Sequence, residues 1–421
     1  MNPDLHATAE ALDAADPLRS RRTLFVGADS PLVYFDGNSL GRPLKATVGR
    51  LERFARDEWG GRLIRGWDES WMDLPFAIGD DIGRVALDAA PGQTVVADST
   101  TVLLYKLVRA AFDAQITRDP TRAEIVIGRN EFPTDRYVVE GIAAERGGRV
   151  RWVEVDDDTG VTTERLAAAV GPETAVVVVS HVAYNSGHLV DAEAITELAH
   201  AAGAFTVWDL SHSVGSVPIH ADAWALDMAV GCTYKYLGGG PGSPAFAYVA
   251  HRHQAALTPP LRGWMGAADV FAMAPDFRPA AGMRRFLSGT PPVLGMLAMQ
   301  DSLALLHDVG MTAVREKSVE LTTFAIEVFE EELAPLGVRL ASPADPANRG
   351  GHVTFRHPLM REVNAALWKQ DVIPDYRDPG GLRIGLAPLS TSFAETLRGL
   401  LAVRDALARL SPDRLPSEGS S

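Results

Sequence analysis

Lys235 stands in Gly231-Cys232-Thr233-Tyr234-Lys235-Tyr236-Leu237, and four glycines and a proline follow it before Ser243. Among aromatic neighbours an amine is driven toward its neutral, nucleophilic form. That form can bond covalently to an aldehyde carbon. Alone the signal is weak, because a lysine in a glycine-rich loop is ordinarily a solvated charge. Asp209 ends the apolar run Val207-Trp208-Asp209, 26 residues earlier. By itself an aspartate there reads equally as a helix N-cap. An amine and a carboxylate, each just after an apolar run and one such unit apart, are more specific than either.

The pair suits pyridoxal-5'-phosphate (PLP), which needs an amine for its aldehyde and a carboxylate against its pyridine nitrogen. Ala97-Asp98-Ser99-Thr100-Thr101 adds hydroxyls ahead of an apolar helical run, a phosphate site or an ordinary helix cap. Glu131-Phe132-Pro133-Thr134-Asp135 offers an aromatic face and a second carboxylate, although a turn with a capping Asp is the plainer reading.

Such residues need strand ends to hold them. Short β-branched runs alternate with amphipathic stretches in the middle of the chain. Strands are predicted at 124–127, 150–155, 175–180, 205–209, 228–231 and 245–249, and helices at 135–146 and 192–202. This pattern predicts an α/β fold with a mostly parallel sheet sandwiched by helices, its ligands beyond the carboxyl ends of the strands. After Pro292 the pattern changes to helices at 293–306 and 312–333 and short strands at 351–355 and 382–386. The expected division is a large cofactor-binding domain over 51–300 and a small α+β domain over 301–410. Residues 1–50 are expected to pack on the small domain, and the Ser/Pro-rich 411–421 to form a disordered tail.

The chain has 421 residues, 46% of them hydrophobic, and a formal net charge of −14. An acidic surface disfavours nucleic acid or an anionic membrane as partner. The single cysteine, Cys232, excludes an intrachain disulfide and fits a reducing cytoplasm. The first residues hold no apolar segment of the secretory type.

Over Tyr34 to about Phe393 the sequence resembles kynureninase, a PLP fold-type-I family of the class V aminotransferase kind. Asp36-Gly37-Asn38-Ser39-Leu40-Gly41, Phe132-Pro133-Thr134-Asp135, Asp209-Leu210-Ser211-His212 and Tyr234-Lys235-Tyr236 carry the resemblance. So do Gly263-Trp264-Met265-Gly266, Phe286-Leu287-Ser288-Gly289-Thr290-Pro291-Pro292 and Leu382-Arg383-Ile384-Gly385. The resemblance implies hydrolytic cleavage of kynurenine or 3-hydroxykynurenine to an anthranilate-type acid and L-alanine, in tryptophan degradation. It implies Lys235 as Schiff-base lysine and proton shuttle, and Asp209 at the pyridine nitrogen with His212 beside the cofactor. Phe132 would stack on the ring, and Asp135 would help hold it. Thr100, Thr101 and Tyr234 would bind the phosphate, with Tyr234 also a proton donor. Trp264 and Thr290 would reach it from the neighbouring subunit of a homodimer. Arg383 would grip the substrate α-carboxylate.

Two positions depart from the family pattern: Leu103 where Asn is common, and Ala267 where His is common. They leave open a modified aryl substrate. A desulfurase or β-eliminating lyase of the same fold is a second alternative, although Cys232 is poorly placed to act on a substrate. A non-enzymatic regulator is a third, disfavoured by the retained lysine. His181 and His188 read as part of a loop packing near the cofactor rather than as metal ligands. Trp59, Trp67 and Trp71 read equally as a substrate pocket or as helix packing.

Overall fold

The computed structural model describes residues 3–410; the tail expected at 411–421 lies outside them. A short first strand, β1 (Val33–Tyr34), belongs to a pair completed late in the chain. The large sheet holds β2 (Thr94–Ala97), β3 (Glu124–Gly128), β4 (Arg149–Val153), β5 (Thr174–Ser180), β6 (Phe205–Asp209), β7 (Met228–Gly231) and β8 (Ala245–Val249). Their order is β2-β8-β7-β6-β5-β3-β4, and only β8 runs antiparallel to its neighbours. The predicted strands are present to within a residue or two. β2 was not predicted: four residues running straight into the Asp98-Ser99 turn leave little pattern to read.

β5 shows why the sheet is buried on both faces. Val177 and Val179 enter one apolar cluster, with Trp208 and Phe246; Val176 and Val178 enter the other, with Val207 and Val230. Successive strand residues point to opposite faces, so an unbroken valine run serves two helical layers. The helices Thr100–Arg118 and Pro133–Arg146 supply the second cluster; Ala192–Ala201 and Val293–Val309 supply the first.

A second core gathers Leu5, Ala9, Val33 and Phe35 with side chains from 321 to 407. It lies on a four-stranded antiparallel sheet of β9 (Arg339–Leu340), β10 (His352–Arg356), β12 (Asp375–Arg377) and β13 (Gly381–Gly385). Between β10 and β12, β11 (Val372–Ile373) pairs in parallel with β1. The helix Met311–Val328 and a looser turn over Phe329–Leu333 cover this sheet together with Phe393–Leu410. The N-terminal segment is tied in by the buried Asp16–Lys317 ion pair.

Candidate active site

β2, β3, β5, β6 and β7 all end at one edge of the large sheet, and a cavity of about 310 Å³ opens beyond that edge. Asp98, Thr100 and Thr101 line one side, where Ser99 caps the helix Thr100–Arg118 by accepting from the Val102 amide. The two alternative readings of this segment thus coexist: Ser99 caps, and the threonines of the first turn face the cavity. Phe132 and Asp135 enter from the start of the helix Pro133–Arg146, and Asp209, Ser211 and His212 from the turn after β6. Tyr234 and Lys235 enter from the loop after β7.

Lys235 Nζ lies 2.9 Å from His212 Nε2. Burial, then the neighbouring charge of Lys235, holds His212 well below the usual imidazole range. The ring is therefore neutral. Asp209 accepts from the Ser211 amide at 2.8 Å, which fixes its carboxylate at the strand end. Asp135 is buried, and its Oδ2 meets no donor. Burial, and after it the charges of Asp209 and Glu131, push the Asp135 carboxyl well up. Glu131 accepts from the Ser180 amide at 3.2 Å, and burial pushes it up to about 7. Asp135 and Asp209 both line the cavity, and Glu131 lies near enough to raise Asp135, so the buried carboxyls compete for ionisation. They favour a cationic or proton-donating group beside them.

The residues present fit PLP. Hydroxyls and amides at a helix N-terminus suit a phosphate. The unsatisfied Asp135 oxygen and the Asp209 carboxylate suit a protonated ring nitrogen. Phe132 presents an aromatic surface, set edge-on to Tyr184 with centroids 5.3 Å apart.

The other expected residues lie elsewhere. Arg383, on β13, is almost wholly buried and does not line the cavity. Its guanidinium is held by Asp375, donates to the Tyr184 carbonyl at 2.8 Å and to Ser39 Oγ at 3.1 Å. Tyr184 itself lines the cavity, so Arg383 sits directly behind that wall. Trp264 and Thr290 are exposed and outside the cavity of their own chain. Trp59, Trp67 and Trp71 line a separate groove of about 280 Å³ with Pro291 and Pro292. Leu103 is wholly buried in the core behind the cavity. Ala267 bridges to Pro279, away from the cavity. His181 packs edge-on against Trp208 and Trp224, and no metal-ligating cluster occurs among the described residues.

Sequence reasoning assigned no role to Glu131, Tyr184, Asp375 or His352. Glu131 and Tyr184 stand inside segments already singled out, so their neighbours were the available signal. Asp375 and His352 reach the site only through the small domain's strand pairing, which no local pattern reveals.

Residues 314–402 match the Kynureninase C-terminal domain family, and residues 113–220 match the DegT/DnrJ/EryC1/StrS aminotransferase family. A kynureninase of Pseudomonas fluorescens is 38% identical over 402 residues, spanning 95% of this chain and 94% of that protein. One of Burkholderia pseudomallei is 39% identical over 400 residues with the same shares. Among solved structures, a C-DES mutant with glycine covalently linked to its PLP cofactor superposes with a TM-score of 0.80 at 20% identity, covering 91% of this chain and 99% of that one. The apo cysteine desulfurase of Thermococcus onnurineus NA1 does so with 0.76 at 18%, covering 95% and 98%. These structures share the fold, PLP fold type I. Identity near 40% along nearly the full length goes further: the chain belongs to the kynureninase family.

Proposed function

We propose that the protein is a PLP-dependent hydrolase that cleaves the Cβ–Cγ bond of L-kynurenine, 3-hydroxy-L-kynurenine or both. The products are an anthranilate-type acid and L-alanine. The observation that carries this reading is one cavity lined by Lys235, Asp209, Asp135, Phe132 and the hydroxyls of Thr100 and Thr101, in a chain of the kynureninase family. Bound PLP supplies an aldehyde for the lysine and an electron sink for the substrate's α-carbon.

The chain's own residues do the rest. Lys235 Nζ would hold the cofactor through its aldehyde and, when free, would take up and pass on the substrate's α-proton. His212 accepts from that amine and holds it in place. Asp209 would pair with the pyridine nitrogen and keep it protonated, and Asp135 would help hold the ring. Tyr234, at the cavity wall, would deliver a proton to Cβ, the carbon kept as the methyl group of alanine. Its phenol is pushed up by burial and by Cys232 and stays protonated, as a donor must. Arg383 pairs with the substrate carboxylate after the Tyr184 wall yields, since the guanidinium fork matches that group.

We further propose a homodimer in which Trp264 and Thr290 serve the partner's cavity. Their exposure supports this, as do exposed Phe271 and Met273 and the open tryptophan groove beside Pro291. A cytoplasmic location suits the single buried cysteine. No helix among the described residues is long and apolar enough to cross a membrane.

A desulfurase reading fails on Cys232. That thiol is buried beside Ser211, whose Oγ accepts from the Cys232 amide at 3.2 Å, and burial pushes it up. It is poorly placed to swing over a substrate. The test is incubation of PLP-loaded protein with each candidate, with chromatography for anthranilate, 3-hydroxyanthranilate and alanine. Cleavage of either supports the reading; cleavage of neither overturns it.

A further inference from the structure

His352 lies on β10 of the small domain and is wholly buried. Its ring stands 5.5 Å from the ring of His212, tilted by 53°. The Tyr184 carbonyl lies near one edge of it, yet neither His352 nitrogen completes a hydrogen bond. Nδ1 of His212 is likewise buried without a partner. Unsatisfied buried polar atoms are costly and uncommon in folded proteins, and three of them on two touching rings ask for a functional reason.

The seat of His352 is built by the large domain. Gly187, in the loop after β5, has φ +72°, and a side chain there would collide with the His352 carbonyl at 2.6 Å. The Gly187 carbonyl in turn accepts from the Gly350 amide at 2.7 Å. The loop that contributes Tyr184 to the cavity thus also clamps β10.

The charges that weigh most on the two rings are cations, with the Asp209 carboxylate in the same cavity wall as His212. Lys235, Arg383 and Arg377 face His212, and Arg383 and Lys235 face His352. Burial first, and these cations after it, keep both imidazoles neutral. Nε2 of His212 is taken up by Lys235 Nζ, which leaves Nδ1 on a ring whose further contact is His352.

We propose that His352 is a positioning residue, which fixes the ring of His212 from the small domain and through it the Lys235 amine. The inference rests on the functional reading above, in that the amine so placed is the one that holds PLP. It also gives the small domain a second task besides presenting Arg383: the His212–Lys235 geometry is complete only with β10 in place.

The test uses the full-length protein loaded with PLP, as wild type, His352→Leu and His352→Gln. Two quantities are read: the pH midpoint of the bound cofactor's absorbance band, and kcat and KM for L-kynurenine separately. In His352→Leu the midpoint should move by half a pH unit or more, and kcat should fall about tenfold or more while KM stays within about threefold. His352→Gln should recover part of both, because an amide keeps a polar group of similar reach. A structural role alone would lower the thermal midpoint and leave the absorbance midpoint in place. A folded His352→Leu protein with unchanged absorbance midpoint and kcat overturns the inference. Should that variant fail to fold, His352→Gln decides: a moved midpoint supports the inference and an unmoved one overturns it. A wild type that binds PLP but leaves kynurenine intact defeats the functional reading alone, and the titration still decides the role of His352.

Discussion

Lys106 and Lys317 are both buried, and each is held by a carboxylate: Asp98 for the first, Asp16 for the second. Lys235, the lysine that lines the cavity, lies against the neutral His212 ring instead. Borohydride reduction of the PLP-loaded protein, followed by peptide mapping, should place the label on Lys235; a label on Lys106 would remove Lys235 from this role. Asp209→Ala should weaken PLP binding and slow substrate α-proton exchange by orders of magnitude, read by NMR in deuterated buffer. Near-normal exchange would exclude Asp209 as the ring-nitrogen partner. For Arg383, losing an enclosed carboxylate partner costs on the order of 2–5 kcal/mol. That is roughly 30- to 4000-fold in kcat/KM for Arg383→Ala, with PLP content unchanged. Arg383→Lys should also be impaired, because it keeps the charge and loses the fork. A loss under about threefold would make Arg383 a structural ion-pair residue for Asp375 only. The reacting residues were legible because each stands directly after an apolar run, where α/β sheets place ligands. What Arg383 touches in the folded chain was not legible. Ser39 and Tyr184 lie far off in the sequence, and Asp375 meets it only because β12 and β13 pair antiparallel with Asp375 opposite Arg383.

At the scale of elements, the sheet is anchored at the edge away from the cavity. Asp227, just before β7, is nearly wholly buried and gathers the helix residue His200, the Thr206 amide of β6, Arg252 and His253. Burial alone pushes its carboxyl up, but the hydrogen bonds from His200, His253 and Thr206 outweigh it and hold the group well below the usual range. A group so depressed contributes its stability in full above the unfolded value of about 3.9, and loses it as pH falls below that value. Removing one member of a buried charged set costs on the order of 3–5 kcal/mol. Asp227→Asn should therefore unfold at lower urea near pH 7, and the gap to wild type should narrow as pH falls from about 5 toward about 2. A gap that stays constant over that range would show that the carboxylate charge is not what anchors the edge. Most of these elements were legible, because an unbroken run such as Val176-Val177-Val178-Val179, too short for a helix, suits a strand buried on both faces. β2 was not: its burial comes from pairing with β8, distant in the sequence, and four residues show no period of their own.

The whole molecule brings two cores together over one cavity, with the N-terminal segment sealed to the small domain by β1, Phe35 and the Asp16–Lys317 pair. The family-level reading carried the most information at this scale, since a −14 charge and a single cysteine bound the function only loosely. What it left open is assembly. Sedimentation of the active protein should give a dimer, and Trp264→Ala should raise the PLP dissociation constant even though Trp264 lies outside its own chain's cavity. An active monomer would contradict the shared site. Hydrolysis at the side-chain carbonyl of kynurenine is tested most directly by turnover in oxygen-18 water with mass spectrometry of both products. Oxygen-18 is expected in the carboxylate of the anthranilate product and none in L-alanine. Formation of pyruvate and ammonia from the amino acid, or recovery of kynurenine uncleaved, would contradict that hydrolysis.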